Sequence, residues 1–120
     1  MTLVYNIQPA EIDIEITQND TLNMLFNVQK WNEVTEAWED WDLSGNQIDG
    51  HFRRKDGLLM KEITSSGVSP EITILGSTYT IYCEGIDFIG FLDYDIQVTD
   101  GPDTYTFQRG EAHFIKELTP

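Results

Sequence analysis

The sequence predicts an all-β protein, an antiparallel sandwich or small barrel of about eight or nine short strands. Three observations carry this. Apolar and polar residues alternate at period two in segment after segment, the mark of strands with one buried face. Turn-forming residues separate those segments at Ser44-Gly45-Asn46, Asp56-Gly57, Ser65-Ser66-Gly67, Gly76-Ser77, Asp100-Gly101-Pro102-Asp103 and Gly110. No pattern of a βαβ crossover interrupts them.

The first strand is read over residues 11–17, with Ile12, Ile14 and Ile16 on one side and Glu11, Asp13 and Glu15 on the other. A slip of one residue would bury three carboxylates, which fixes the register. Gln18-Asn19-Asp20-Thr21 turns the chain, and Leu22, Met24, Phe26 and Val28 give a second inward face. These two segments are expected to pair as a hairpin. Further strands are expected at 47–54, 58–63, 71–75, 78–83, 91–99, 104–109 and 112–117. A single helical turn fits 85–88. Residues 31–41 are ambiguous, because Trp31, Val34, Trp38 and Trp41 are spaced three, four and three apart as on a helix. Their strand-like flanks favour a long, twisted hairpin tip.

The chain has 120 residues and 13.8 kDa, with 40% apolar and 12% aromatic side chains, the make-up of a single domain over 1–120. Cys83 is the only cysteine, so no intrachain disulfide forms and hydrophobic packing must hold the fold. The segment Met1–Tyr5 has neither a basic region nor an apolar run, so no secretory signal is expected. The longest uncharged apolar stretch, Ile72–Cys83, is 12 residues. A spanning helix needs roughly 20, and no membrane partner is expected. Seven Lys and Arg against 21 Asp and Glu give a net charge of -14. Nucleic acid is repelled, since the basic cluster Arg53-Arg54-Lys55 is too small to offset that field. Acid excess points to solubility and to partners with basic surfaces.

The sequence lacks a nucleophile elbow, a P-loop and a dinucleotide fingerprint, and no enzymatic activity is expected. His51 and His113 have no His or Cys at metal-ligand spacing and are expected to point outward from strands. Cys83 ends an apolar strand and reads as a buried, inert thiol. Asp93 and Asp95 share the solvent face of a strand, where screened surface charge is the expected role rather than paired acid catalysis. Asp40 and Asp42 would pair similarly. Asp87, Asp100 and Asp103 are oxygen ligands of the type calcium takes, but without an EF-hand order. No cofactor or metal is expected. Asn19-Asp20-Thr21 matches a glycosylation sequon, a match without consequence where no secretory signal is expected. The Trp-rich acidic segment is the most unusual feature. Trp31, Trp38 and Trp41 are the interface candidates, because Trp dominates binding energy at interfaces; packing over an open sandwich end or stacking on sugar are the other uses of such rings.

Several pieces occur together in order: Gln18-Asn19-Asp20-Thr21 before an apolar strand, Asp42-Leu43-Ser44-Gly45 before a strand ending Phe52-Arg53-Arg54, and the run from Gly90 to Thr99. Asp100-Gly101, the run from Thr106 to Phe114 and a closing Leu118-Thr119-Pro120 follow. This order resembles a family of small tailed-bacteriophage structural domains with an immunoglobulin-like sandwich, and the amino-terminal module of phage baseplate upper or tail-fibre-anchoring proteins. The resemblance covers nearly the whole chain. It implies an immunoglobulin-like β-sandwich and a non-enzymatic virion structural protein, made in the host cytoplasm and docking in the baseplate, tail-fibre attachment or neck region. Other virion proteins and further copies of the same chain are the implied partners. A head decoration protein is a variant of this reading, and a carbohydrate-binding module for a host glycan is the alternative. The Trp-bearing stretch Gln29–Asp42 and the acidic pair Asp93 and Asp95 depart from the family pattern.

Overall fold

The computed structural model describes residues 10–117, which are all-β and without helix. Eleven strands form: β1 Ala10–Glu11, β2 Ile14–Thr17, β3 Leu22–Asn27, β4 Gln29–Asn32, β5 Ala37–Asp40, β6 Gln47–Arg53, β7 Leu59–Thr64, β8 Ile72–Leu75, β9 Thr78–Cys83, β10 Gly90–Asp100 and β11 Asp103–Ile115. They make a six-stranded sheet, β1-β11-β10-β6-β7 with β2 also on β11, a three-stranded sheet, β3-β9-β8, and the separate hairpin β4-β5. The chain passes between the two larger sheets at β2 to β3, β3 to β6, β7 to β8 and β9 to β10. The architecture is compatible with a β-sandwich.

The alternation read from the sequence is what fills the core. Leu92, Tyr94, Ile96 and Val98 of β10, with Ile48 and Phe52 of β6, face Leu22 of β3 and Tyr79 and Ile81 of β9. Tyr79 meets Phe107 of β11 edge to face at 5.5 Å, so the sheets touch directly. A bulge in the β10-β11 pairing, between Ile96 and Gln97, gives β11 one extra residue. Phe107 and Gln108 are consequently both buried although adjacent. Gln108 joins a buried relay: it accepts from the Tyr79 hydroxyl, its Nε2 donates to the Tyr94 hydroxyl at 3.1 Å, and that hydroxyl donates to the Ile12 carbonyl. Burial raises the pKa of both phenols, Tyr79 most, while the Gln108 contact opposes the rise at Tyr94.

Four expectations are corrected. The segment 11–17 is interrupted at Ile12-Asp13, and β1 and β2 both lie parallel to β11 instead of pairing with 22–28. The turn decides this, because Gln18 N–H donates to Ile115 O and Asn19 N–H to Ile86 O, while β3 lies against β9 in the other sheet. The strands expected at 104–109 and 112–117 are one strand, β11, that runs through Gly110. Gly110 is a point of close approach rather than a turn, since a Cβ there would stand 2.2 Å from Ile12 O. The region 85–88 has no helical turn; Gly85 lies so close to the 19–20 turn that a Cβ would come within 2.2 Å of Asn19 O. Splitting the first segment adds one strand and β4 and β5 add two, while the merger into β11 removes one, so the nine segments read from the sequence become eleven strands.

Candidate interaction surface

The ambiguous Trp segment is a hairpin. Alternation continues unbroken from β3 into β4, so Asn23, Leu25, Asn27, Gln29 and Trp31 are all exposed while Leu22 and Val28 are buried. Trp31 stands directly opposite Trp38, with ring centroids 5.5 Å apart and planes crossed at 70°. The turn is built by Asn32, whose Oδ1 accepts the N–H groups of Val34 and Thr35 at 2.8 and 3.2 Å, and by Glu36, whose φ of 52° returns the chain. At the base, Asn27 Nδ2 and Gln29 Nε2 donate to Asp40 Oδ1 at 3.1 and 3.2 Å and hold that carboxyl below its ordinary range.

The three Trp candidates separate. Trp38 is 63% exposed and Trp31 39%, both on the outward side of the hairpin. Trp41 is buried, its N–H donating to Val28 O at 2.9 Å and its ring lying edge-on to Tyr105 at 6.3 Å. Lys30 Nζ sits 5.8 Å from the Trp41 ring centre, a cation-π contact. The helical spacing has a simple origin: residues 31 and 38 are cross-strand partners, Val34 is in the turn, and Trp41 lies beyond the hairpin.

Sequence reasoning missed the surface that the hairpin extends. The outward positions of β3, β9 and β8 are Asn23, Leu25 and Asn27, then Thr78, Thr80 and Tyr82, then Thr73 and Leu75. None is Asp, Glu, Lys, Arg or His. Leu25 is 68% exposed, Leu75 79% and Tyr82 64%. The available signal was this absence of charge at every outward position of three strands in a chain so acidic.

The outer face of the six-stranded sheet is its opposite, with charge in cross-strand rows. His51 Nδ1 lies 3.0 Å from Asp95 Oδ1, and its Nε2 3.8 Å from Glu62. Lys55 Nζ bridges Asp93 and Glu111 at 2.6 Å each, which raises its pKa, first through Asp93 and then Glu111. Arg109 reaches Glu11 at 3.1 Å, and Arg54 reaches Asp56 at 2.6 Å. Asp93 and Asp95 therefore do lie on a solvent face, each with a cationic or imidazole partner. His113 also points outward, stacked on Phe91 at 4.2 Å. Asp42 is held below its ordinary range by Ser44, first through the hydroxyl and then through the N–H, which donates to it at 3.0 Å, and is not paired with Asp40. Asp87 accepts Gln18 Nε2 at 2.8 Å, whereas Asp100 and Asp103 face each other where β10 meets β11. Among the described residues no three His, Cys, Asp or Glu side chains converge as a metal site would need. Cys83 is buried, and that burial raises its thiol pKa. Comparison of the sequence with protein-family models and with curated proteins gives no match.

Proposed function

We propose that this protein is a non-enzymatic docking module of a bacteriophage virion, an immunoglobulin-like sandwich that presents the β4-β5 hairpin to another virion protein. The observation that carries the reading is the exposed Trp31-Trp38 pair on a hairpin inserted between β3 and β6. Large aromatic surface left in water at a projecting hairpin is what interface anchors look like before their partner arrives. The sandwich assignment draws support from the strand order. The first strands run parallel to the last, and β3-β9-β8 faces β11-β10-β6-β7. The acidic residues around the rings, Glu33, Glu36, Glu39 and Asp40, suit a partner cleft with a basic rim.

The crossed rings favour a protein partner over a glycan, because a sugar-stacking platform needs roughly coplanar rings and this pair meets at 70°. Hydroxyl-radical footprinting of the free chain and of purified particles of the encoding phage tests the reading. Trp31 and Trp38 should oxidise in the free chain and be shielded in the particle, with Trp41 shielded in both. A chain absent from purified particles, or equal oxidation in both states, overturns it. Saturable glycan binding lost in Trp38→Ala would replace it with the carbohydrate-binding reading.

A further inference from the structure

We infer that the open edge of β3 is a strand-addition site, taking an extended segment of a partner protein whose backbone pairs with Asn23, Leu25 and Asn27 and whose ends carry Lys or Arg. The inference stands independently of the virion reading. Backbone direction identifies the groups. Val28 N–H donates to Ser77 O and its carbonyl accepts Trp41 N–H, so the even-numbered residues from Leu22 to Val28 turn their peptide groups towards β9 and the hairpin. The odd-numbered ones turn away, because successive peptide groups of a strand alternate in direction. Among the described residues β3 pairs with β9 alone, and Asn23, Leu25 and Asn27 make no backbone hydrogen bond on the other side. Their N–H and C=O groups stand in a row at strand spacing, a pattern that another extended backbone satisfies in full.

The other edges are guarded. On β7, Glu71 Oε2 accepts the Thr64 N–H at 3.2 Å, Lys61 and Glu62 place charge along the strand, and the pairing with β6 is bulged between Phe52 and Arg53. β8 has four residues, and β1 and β2 have two and four, interrupted at Ile12-Asp13. Short strands, charges and bulges are the devices that keep foreign strands off a sheet. β3 has six residues without a charge, a proline or a register shift, and Val28 carries its alternation on into β4. Its core-side residues Met24 and Phe26 are only half-buried, although Leu22 and Val28 on the same side are covered. Apolar side chains of an added strand would close over both.

Charge selects the partner. Asp20 and Glu84 lie at one end of the edge, beside the paired residues Leu22 and Cys83. At the other end Asp40 is held by the side chains of Asn27 and Gln29, and Glu33 and Glu36 follow in the hairpin turn. These five carboxylates are exposed, and among the described residues none forms an ion pair. A second copy would bring the same acid and a net charge of -14 to the contact. A foreign segment that is neutral along β3 and basic at each end meets both clusters with the opposite sign.

NMR-detected amide exchange of the full chain tests this with a synthetic probe, an extended peptide of about ten residues that alternates Val and Thr and carries two Lys at each end. In the free chain the amides of Asn23, Leu25 and Asn27 should exchange fast, while those of Met24 and Phe26 are protected. The peptide at about 1 mM should slow the fast set by about tenfold. The same peptide N-methylated along its length lacks the backbone donors and should have no effect. A peptide with Glu at its ends should bind about tenfold more weakly in low salt, a gap that closes in high salt. The chain is unaltered throughout, so no loss of fold enters the readout. Protection of Asn23, Leu25 and Asn27 already in the free chain, protection by the peptide at Ile72, Ile74 or Glu62 in their place, no effect at about 1 mM, or equal effects from the N-methylated or Glu-ended peptide overturns the inference.

Discussion

The two large sheets share one core but treat water in opposite ways. On the six-stranded sheet, β1 and β2 cover one edge and the outer face is tiled with paired charges, so that surface satisfies itself. On the three-stranded sheet, the outer face carries exposed leucines, threonines and a tyrosine, and beyond it the exposed Trp pair. Charge in so acidic a chain is therefore distributed with a bias. One side spends its polar side chains on one another, and the other has no ionic side chain at its outward strand positions. That contrast sets the two outer faces apart, and it can be broken from either side.

The largest effect is expected at Gly110. A Cβ there would meet the Ile12 carbonyl, which is backbone and has no flexible end to yield. Gly110→Ala should cost about 3 kcal/mol, at the upper end of overpacking penalties, by pushing the 10–17 segment off β11. The long strand β11 would then lose its outer neighbours and become an open edge. Chemical denaturation measures the loss, and amide exchange should place the new lability at residues 10–17. An alanine variant of unchanged stability would mean that the close approach contributes nothing to the sheet.

A smaller effect is expected at Gln108, the polar link between the sheets. Gln108→Leu strands the buried Tyr79 hydroxyl and should cost about 2 kcal/mol, the penalty of an orphaned buried polar group. Adding Tyr79→Phe removes the orphan, so the double variant should be more stable than Gln108→Leu alone. If the second change merely adds a further loss, the relay is not the source of the cost. The raised phenol pKa values also give a pH test. A folded-state pKa above the ordinary 10.0 means a contribution present in full below pH 10 and lost as pH rises through the folded value. Alkaline unfolding should accordingly be shallower in Tyr79→Phe.

What was legible in the sequence follows from what alternation encodes. Period two reports which side of a strand is buried, and it placed Leu22, Met24, Phe26 and Val28 inward correctly. It does not report the neighbouring strand, which is why 11–17 was expected beside 22–28 and instead lies on β11. Glycine is similarly two-valued. Gly110 reads as turn punctuation from composition, yet its value lies in bringing β11 close to Ile12, a fact set by residues nearly a hundred positions away. The Trp residues were found by composition, but only hairpin pairing separates exposed Trp31 and Trp38 from buried Trp41. Leu25, Leu75 and Tyr82 went unnoticed because each is the single apolar residue among the outward positions of its own strand. Register makes them a surface.

The smallest effect belongs to Lys55, and it tests whether the charged face is truly self-satisfied. Asp93 and Glu111 are direct cross-strand partners, an unfavourable pairing of like charges unless something lies between them. Lys55 supplies that, and its raised pKa means that its contribution is present below the ordinary 10.5 and is lost as pH rises through the folded value. Lys55→Gln should lower the melting temperature slightly at neutral pH and low salt. Because the group is exposed, the difference should vanish in high salt and shrink at alkaline pH, where the unaltered lysine also loses its charge. A variant as stable as the parent in low salt would show that the two carboxylates tolerate each other unaided. The contrast between the sheets would then rest on the exposed apolar residues of one face, and no longer on ionic satisfaction of the other.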